Sequence, residues 1–171
     1  MASTQTWSEF NGASAGTETT SRVEANWKRV DDSTTSYIAS PINSTNNENS
    51  MTKYQALKYA GTWNSISAVT YKIDNNAPAT GLSIVGSVIN AAAGTTPVTT
   101  ASGDAALSTT GLAVNLASNT TPYVTPGTST STASGTLYAQ ALRTQLQTTS
   151  SYAGGPGDIT SRTITASWTE S

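Results

Sequence analysis

One four-residue stretch of the sequence has the residue types and spacing of a nucleophilic site. Ser50 and Lys53, in "SMTK", match the S-x-x-K pattern, in which a lysine amine one helical turn after a serine accepts the hydroxyl proton. The pattern fixes only two positions, and roughly a third of the chain is Ser or Thr, so a chance match is expected. No K-T-G follows. We therefore expect a loop boundary here and no catalytic pair.

The acidic residues offer two further candidates, both of which we interpret as turns or surface clusters. Asp31 and Asp32 are adjacent, so on a strand they would face opposite sides and could not act as an acid/base pair. Asp74, Asn75 and Asn76 carry oxygen ligands that suit calcium, but the EF-hand spacing and its closing glutamate are missing.

The composition narrows the function classes further. The sequence has no Cys and no His, which removes thiolate nucleophiles, zinc fingers and the commonest general base at neutral pH. We expect a protein that is not an enzyme and that has no cofactor and no metal site. With 11% charged residues and a net charge of −2, it lacks the basic surface of a nucleic-acid binder. No apolar run is long enough for a membrane-spanning helix, and no apolar stretch follows Met1, so neither an anchor nor a secretory signal is expected.

The secondary-structure elements that would position these candidate residues, Ser50, Lys53 and the acidic side chains, are predicted to be short strands. Period-two alternation or short extended runs mark residues 22–30, 34–42, 62–73, 80–89 and 159–168. Segments 51–60 and 136–147 fit either a strand or a helix, and we favour strands because their neighbours are strands. The turn "DNNAPA" is predicted to pair 62–73 with 80–89, and "GGPGD" to open a C-terminal hairpin.

The strand pattern predicts an all-β fold, a single β-sandwich of the immunoglobulin-like or jelly-roll-like kind. Within 90–135 the chain is mostly Ala, Thr, Ser, Gly and Pro, which predicts long Thr/Ser-rich loops around one short strand region. Residues 21–171 would form the sandwich domain. Three of the four tryptophans, Trp27, Trp63 and Trp168, are expected in its core.

Residues 1–20 are polar and rich in Gly, Ser and Thr, which predicts an extended N-terminal arm. Trp7 and Phe10 are its only large apolar residues. We interpret these two as candidate interface anchors that insert into pockets of a neighbouring subunit. The alternative is that they pack on the chain's own domain.

The order of these features resembles that of small virion structural proteins of tailed bacteriophages. The shared pattern is a polar N-terminal segment, an "SPI" turn at 40–42, a Tyr-rich run, "GTWNSIS" at 61–67 and "TGLSIVGSV" at 80–88. A Thr/Ser/Ala-rich middle and a closing "QLQTTSSYAGGPGD…TITASWTES" complete it. The resemblance covers most of the chain as a pattern. It implies a β-sandwich that decorates the capsid or belongs to the neck or tail, and it transfers no catalytic residue.

We therefore expect a bacteriophage virion structural protein, most simply a capsid decoration or cement protein that bridges capsid subunits. Its partners would be the major capsid protein or other virion proteins and copies of itself, with no nucleic acid and no membrane. Its location would be the virion, assembled in the host cytoplasm. A neck, tail or fibre-attachment protein is the first alternative. A carbohydrate-binding β-sandwich is the second, and it would require two or three coplanar exposed aromatic side chains.

Overall fold

In the computed structural model, the residues that are described form mainly antiparallel β-strands. Within the described residues the only helical segment is one 3-10 turn, Ser44–Asn46, so the predicted all-β class is confirmed. The described residues are 3–11, 17–22, 26–34, 38, 40–63, 65–73, 79–88, 105–106, 114–115, 123–124, 133–139, 141–154 and 163–171. The predicted turn at 74–79 and the loops within 90–135 lie mostly outside these ranges.

Within the described ranges, ten strands form two sheets. The seven-stranded sheet has the order β2-β1-β3-β9-β5-β6, and β8 also pairs with β3. The three-stranded sheet has the order β10-β4-β7. The strands are β1 (Thr4–Asn11), β2 (Thr17–Thr20), β3 (Lys53–Trp63), β4 (Ile66–Ile73), β5 (Leu82–Val88), β6 (Val114–Asn115), β7 (Tyr123–Val124), β8 (Ala133–Tyr138), β9 (Leu142–Thr148) and β10 (Ile164–Glu170).

Strand β3 is the centre of the larger sheet. It pairs antiparallel with β1 along one edge and with both β8 and β9 along the other. Most of its side chains are buried, on both faces of the sheet. The two ambiguous segments are thus resolved as strands: residues 51–60 contribute to β3, and residues 136–147 to β8 and β9.

The predicted pairing of 62–73 with 80–89 is wrong, although both segments contain strands. β4 belongs to the three-stranded sheet and pairs with β10, whereas β5 pairs with β9 in the larger sheet. The final strand is likewise not half of a hairpin with the strand before it, because β10 crosses to β4. Alternation of apolar and polar side chains predicts that a strand forms. Which strand it pairs with depends on contacts between hydrophobic faces that are distant in the sequence.

The predicted strands at 22–30 and 34–42 are not strands in their described residues, which are 22, 26–30, 34, 38 and 40–42. The physical reason lies in local side-chain bonds: the Thr34 backbone N–H donates to the Asp32 carboxylate at 2.9 Å, and the buried Lys28 amine donates to Asp32 and to Thr34. Such local side-chain bonds curl the backbone and compete with a sheet ladder.

One hydrophobic cluster contains residues of both sheets. Two aromatic contacts join the sheets directly: the rings of Trp7 and Tyr71 lie 5.6 Å apart, and those of Tyr59 and Trp168 lie 5.7 Å apart at 75°. Offset and edge-on ring pairs of this kind add to the free energy of burial. The buried members of the cluster are Leu57, Tyr59, Trp63, Ile66, Val69, Tyr71, Leu82, Ile84, Ala139, Leu142 and Leu146.

Truncation after Asp158 is expected to abolish cooperative unfolding, because it removes β10 and uncovers β4 and Tyr59. Loss of a core aromatic alone typically costs about 3–5 kcal/mol. Thermal melting followed by circular dichroism tests this, with Thr169→Ala, an exposed position on β10, as the control. A soluble truncated protein that melts cooperatively would contradict the expectation.

Candidate interaction site

The two residues predicted as interface anchors lie on β1, on opposite faces of the sheet. They are three positions apart, and strand side chains alternate. Trp7 packs against the shared hydrophobic cluster and contacts Tyr71. Phe10 is fully buried on the other face, edge-on to Tyr138 at 5.9 Å between ring centroids. The pair therefore cannot act together on one side of the strand.

Residues 1–20 contain strands of the larger sheet. β1 pairs with β3 from Thr4↔Ala60 to Phe10↔Tyr54, and β2 pairs with β1. Both anchor residues thus pack on the chain's own domain in this structure. Insertion into a neighbouring subunit stays a prediction, and it would require β1 to leave this sheet. The sequence carries little signal for this strand, because the two large apolar residues of "TQTWSEFN" are three positions apart rather than two.

The same strand brings a carboxylate into the interior. Glu9, 1% exposed, pairs with the fully buried Lys53 at 3.3 Å. Glu9 lies opposite Gln55 in the register, so Lys53 is its diagonal neighbour on β3. Arg22 approaches the other oxygen of Glu9 at 3.6 Å, and Asn11 donates a hydrogen bond to Glu9. A buried charge needs such partners, since an unpaired one is strongly destabilising.

Lys53 also holds the segment that follows β2. Its amine donates to the backbone carbonyl of Asp32 at 2.9 Å. The Asp32 carboxylate in turn accepts from Lys28, which is 2% exposed, and Lys28 donates to the Thr34 carbonyl at 2.9 Å. Glu9, Lys53, Lys28 and Asp32 thus form a chain of contacts between the sheet and residues 26–34, in which the Asp32 side chain alone is exposed, at 40%.

Further contacts fix parts of residues 26–34 and 40–50, which together with Ile38 are called here the anchored segment. Trp27 donates its indole N–H to Thr144 Oγ1 on β9 at 3.1 Å. Arg29 pairs with Glu48 at 2.5 Å, and its backbone N–H donates to the Ser40 carbonyl. The side chain of Asn43 caps the 3-10 turn. The segment is irregular in backbone conformation, yet it is tied to the sheet and to itself at several points.

The anchored segment carries the large apolar side chains that are exposed among the described residues. Val30 is 41% exposed and Ile38 is 77% exposed. Loops held on a rigid scaffold commonly carry binding residues. The anchored segment is thus the better candidate interaction site, and it was missed because its alternation resembled a strand.

A second polar cluster lies on the other face of β1, opposite the face that carries Glu9. Glu18 on β2 accepts hydrogen bonds from Ser8, Lys58 and Tyr138, which lie on β1, β3 and β8. Burial raises the pKa of Glu18, but these bonds outweigh it and lower that pKa below its ordinary value. The cluster joins four strands, and we interpret it as a structural contact.

The residues of the S-x-x-K match have separate partners. Ser50 Oγ accepts from the Leu146 backbone N–H at 3.0 Å and donates to the Met51 carbonyl. The Lys53 amine instead contacts Glu9 and the Asp32 carbonyl. Both side chains are fully buried. The geometry therefore gives no support to a proton transfer between them.

The remaining sequence candidates are also accounted for. Asp31 accepts a hydrogen bond from Asn11, whereas Asp32 binds Lys28, so the two carboxylates have different partners. Asp74, Asn75 and Asn76 lie outside the described residues. Across the part of the chain that the structure describes, no group of three or more acidic side chains is placed to hold a metal ion.

The tryptophans do not form an exposed platform. Trp63 is 2% exposed, as predicted for a core residue. Trp7, Trp27 and Trp168 are partly buried against the shared cluster. A sugar-binding surface of coplanar exposed aromatics is therefore not formed by these four side chains.

Comparison with known proteins finds no matching family model, no matching curated protein and no matching solved structure. In the described ranges no helix combines the length and apolarity required to span a bilayer.

Replacing Lys53 by Met is expected to destabilise the fold by about 3–5 kcal/mol, because Glu9 would remain buried without its amine partner. The double variant Glu9→Gln/Lys53→Met removes both charges and should be less destabilised than the sum of the two single variants. Urea unfolding of the four proteins of this cycle measures the coupling. As a control, Arg29→Met breaks a more exposed ion pair and should cost less than about 1 kcal/mol. Additive single and double variants would contradict a buried pair.

Acid is expected to weaken the attachment of the anchored segment. Burial raises the pKa of Asp32, but hydrogen bonds from Lys28 and Thr34 outweigh it and lower the pKa from 3.8 to about 2. Because the folded-state pKa is the lower one, ionised Asp32 stabilises the fold above about pH 4, and this contribution is lost as the pH falls toward 2. Urea unfolding between pH 5 and 2 should therefore show a smaller decline for Asp32→Asn than for the wild type. Equal declines would contradict the assignment.

Proposed function

We propose that this chain is a non-enzymatic structural protein of a tailed-bacteriophage virion, a capsid decoration or cement protein that bridges subunits of the major capsid protein. The observation that carries the proposal is the exposure of Val30 and Ile38 on the anchored segment, other residues of which are tied to the sheet. The sequence resemblance described above supports the same role. Exposed apolar side chains on a fixed base are typical of protein contact surfaces.

The two sheets are proposed to be the layers of a single β-sandwich. The shared hydrophobic cluster draws on β3, β5 and β9 of one sheet and on β4 of the other. The ring pairs Trp7–Tyr71 and Tyr59–Trp168 span the same interface. A layered fold with residues of both sheets in one core is stiff, which suits a protein that bridges other subunits.

Preorganisation explains why an anchored segment would serve such a bridge. A segment that is already ordered loses little conformational entropy when it binds. The cost of ordering is met within the folded chain by contacts such as Lys28–Thr34 and Trp27–Thr144. Modest contacts suffice when many copies are arrayed on one particle, because linked contacts reinforce one another.

The hydroxyl-rich composition fits the rim of such contacts. Roughly a third of the residues are Ser or Thr, and only 11% are charged. Interfaces of this kind combine a small apolar centre with a polar, hydrated rim. Val30 and Ile38 would supply the centre, and neighbouring hydroxyl groups the rim.

The double variant Val30→Asp/Ile38→Asp is expected to lose incorporation into particles while keeping the wild-type melting temperature. Both side chains are exposed, so a charge there costs the fold little but opposes burial in an interface. Ala79→Asp/Thr80→Asp, a pair of exposed positions before β5, is the matched control and should incorporate normally. Quantitative mass spectrometry of purified particles measures incorporation.

The number of copies per particle, from the same mass spectrometry, distinguishes a shell protein from a neck or tail protein. Many copies per particle would place the chain on the shell, whereas a few copies around one vertex would place it in the neck or tail. Absence of the wild-type chain from particles would overturn the proposal. Normal incorporation of the Val30→Asp/Ile38→Asp variant would overturn the assignment of the anchored segment.

A further inference from the structure

The edges of the two sheets differ in how well they are protected. Strand edges expose unpaired backbone groups, and proteins usually protect them with short strands, charges or proline. β2 has four residues, β6 and β7 have two residues each, and β8, which among the described strands pairs with β3 alone, has six. β10 has seven residues, and within the described part of the chain it has a hydrogen-bonded neighbour, β4, on one side alone.

β10 also lacks the residues that would discourage pairing. It contains no Lys, Arg or Pro. Its one charged residue, Glu170, is engaged within the chain, since the backbone N–H of Ser3 donates to it at 2.6 Å and the Ser3 hydroxyl at 2.8 Å. Its exposed side chains alternate as Thr165, Ser167 and Thr169, all uncharged. The register shift between Ser167 and Thr169 is the one protective device on this strand, and it leaves Ile164–Ser167 in regular pairing with β4.

We propose that β10 is the edge through which two copies of this chain associate, each pairing antiparallel with the β10 strand of the other. This inference deepens the proposed structural function, on which its biological relevance rests, by naming one partner and the strand that binds it. The two three-stranded sheets would then join into one continuous sheet with the order β7-β4-β10-β10-β4-β7. Backbone groups that face outward from each β10 would satisfy one another.

The uncharged exposed residues of β10 favour a second copy of this chain as the strand that pairs with it. An interface between identical subunits related by a twofold axis must be self-complementary, and two antiparallel copies of one strand meet that requirement. Like charges directly opposite each other destabilise a strand pair, but the exposed face of β10 carries none. Cross-strand pairs of Thr and Ser are favourable through their hydroxyl groups.

The test introduces charge at this edge. In Thr165→Lys/Ser167→Lys, pairing would bring four lysines together, so we expect dimer affinity in sedimentation equilibrium to fall by about tenfold or more. The control Thr17→Lys/Thr20→Lys places the same charges at exposed positions of β2 and should dimerise as the wild type does. Melting curves establish that each variant is folded.

A charge-swap experiment keeps the test decisive if the lysine variant folds poorly. Thr165→Glu/Ser167→Glu should also dimerise weakly alone but form heterodimers when mixed with the lysine variant. A wild-type chain that stays monomeric at all concentrations, or an equal loss of affinity in the β2 control, would overturn the inference. These measurements use purified protein without particles, so they can fail independently of the incorporation test for the proposed function.

Discussion

A lysine buried at the start of the central strand is the constraint on which much of this structure depends. Lys53 is fully buried, and its amine must find acceptors inside the protein. It finds them in the carboxylate of Glu9 and the carbonyl of Asp32. The first contact fixes the register of β1 against β3, and the second draws the anchored segment onto the sheet. One charge thus ties together three parts of the chain that are distant in sequence.

The ionic contacts set positions, and aromatic ring pairs join the two sheets. Tyr59 meets Trp168 and Trp7 meets Tyr71, so each sheet contributes one ring to each contact. Only 36% of the residues are hydrophobic, and among the described residues the large ones form two clusters, of which this junction is one. The Thr and Ser residues occupy much of the remaining strand surface, where β-branched Thr suits a pleated backbone. Low hydrophobicity and an ordered interior are therefore compatible.

Local patterns predicted strands where β3, β4, β5, β9 and β10 lie, but they missed β1 and β2, placed two strands within 22–42 wrongly and predicted the pairing poorly. The alternation in 62–73 and 80–89 correctly indicated β4 and β5, and Trp63 was correctly placed in the core. Their assignment to different sheets depends on contacts with β9 and β10, which no short window contains. The anchored segment was predicted as strands because Trp27 and its neighbours alternate, whereas the bonds of Lys28 to Asp32 and Thr34 decide its backbone. Phe10 was predicted to lie on an arm outside the core, because the polar residues around it gave no strand pattern.

The pairing of β4 with β10 has a consequence for how the chain folds during synthesis. β4 is synthesised well before its partner β10, the last strand of the described fold. The edge of β4 that pairs with β10 therefore stays unpaired until the end of this sequence has been translated. One edge of β3 likewise stays unpaired until β8 and β9 have been synthesised. Pairings between distant segments fold slowly, because loop closure must precede the gain from contact. The nascent chain should therefore expose strand edges for a long period, and the scarcity of large apolar residues outside the core would limit aggregation in that interval.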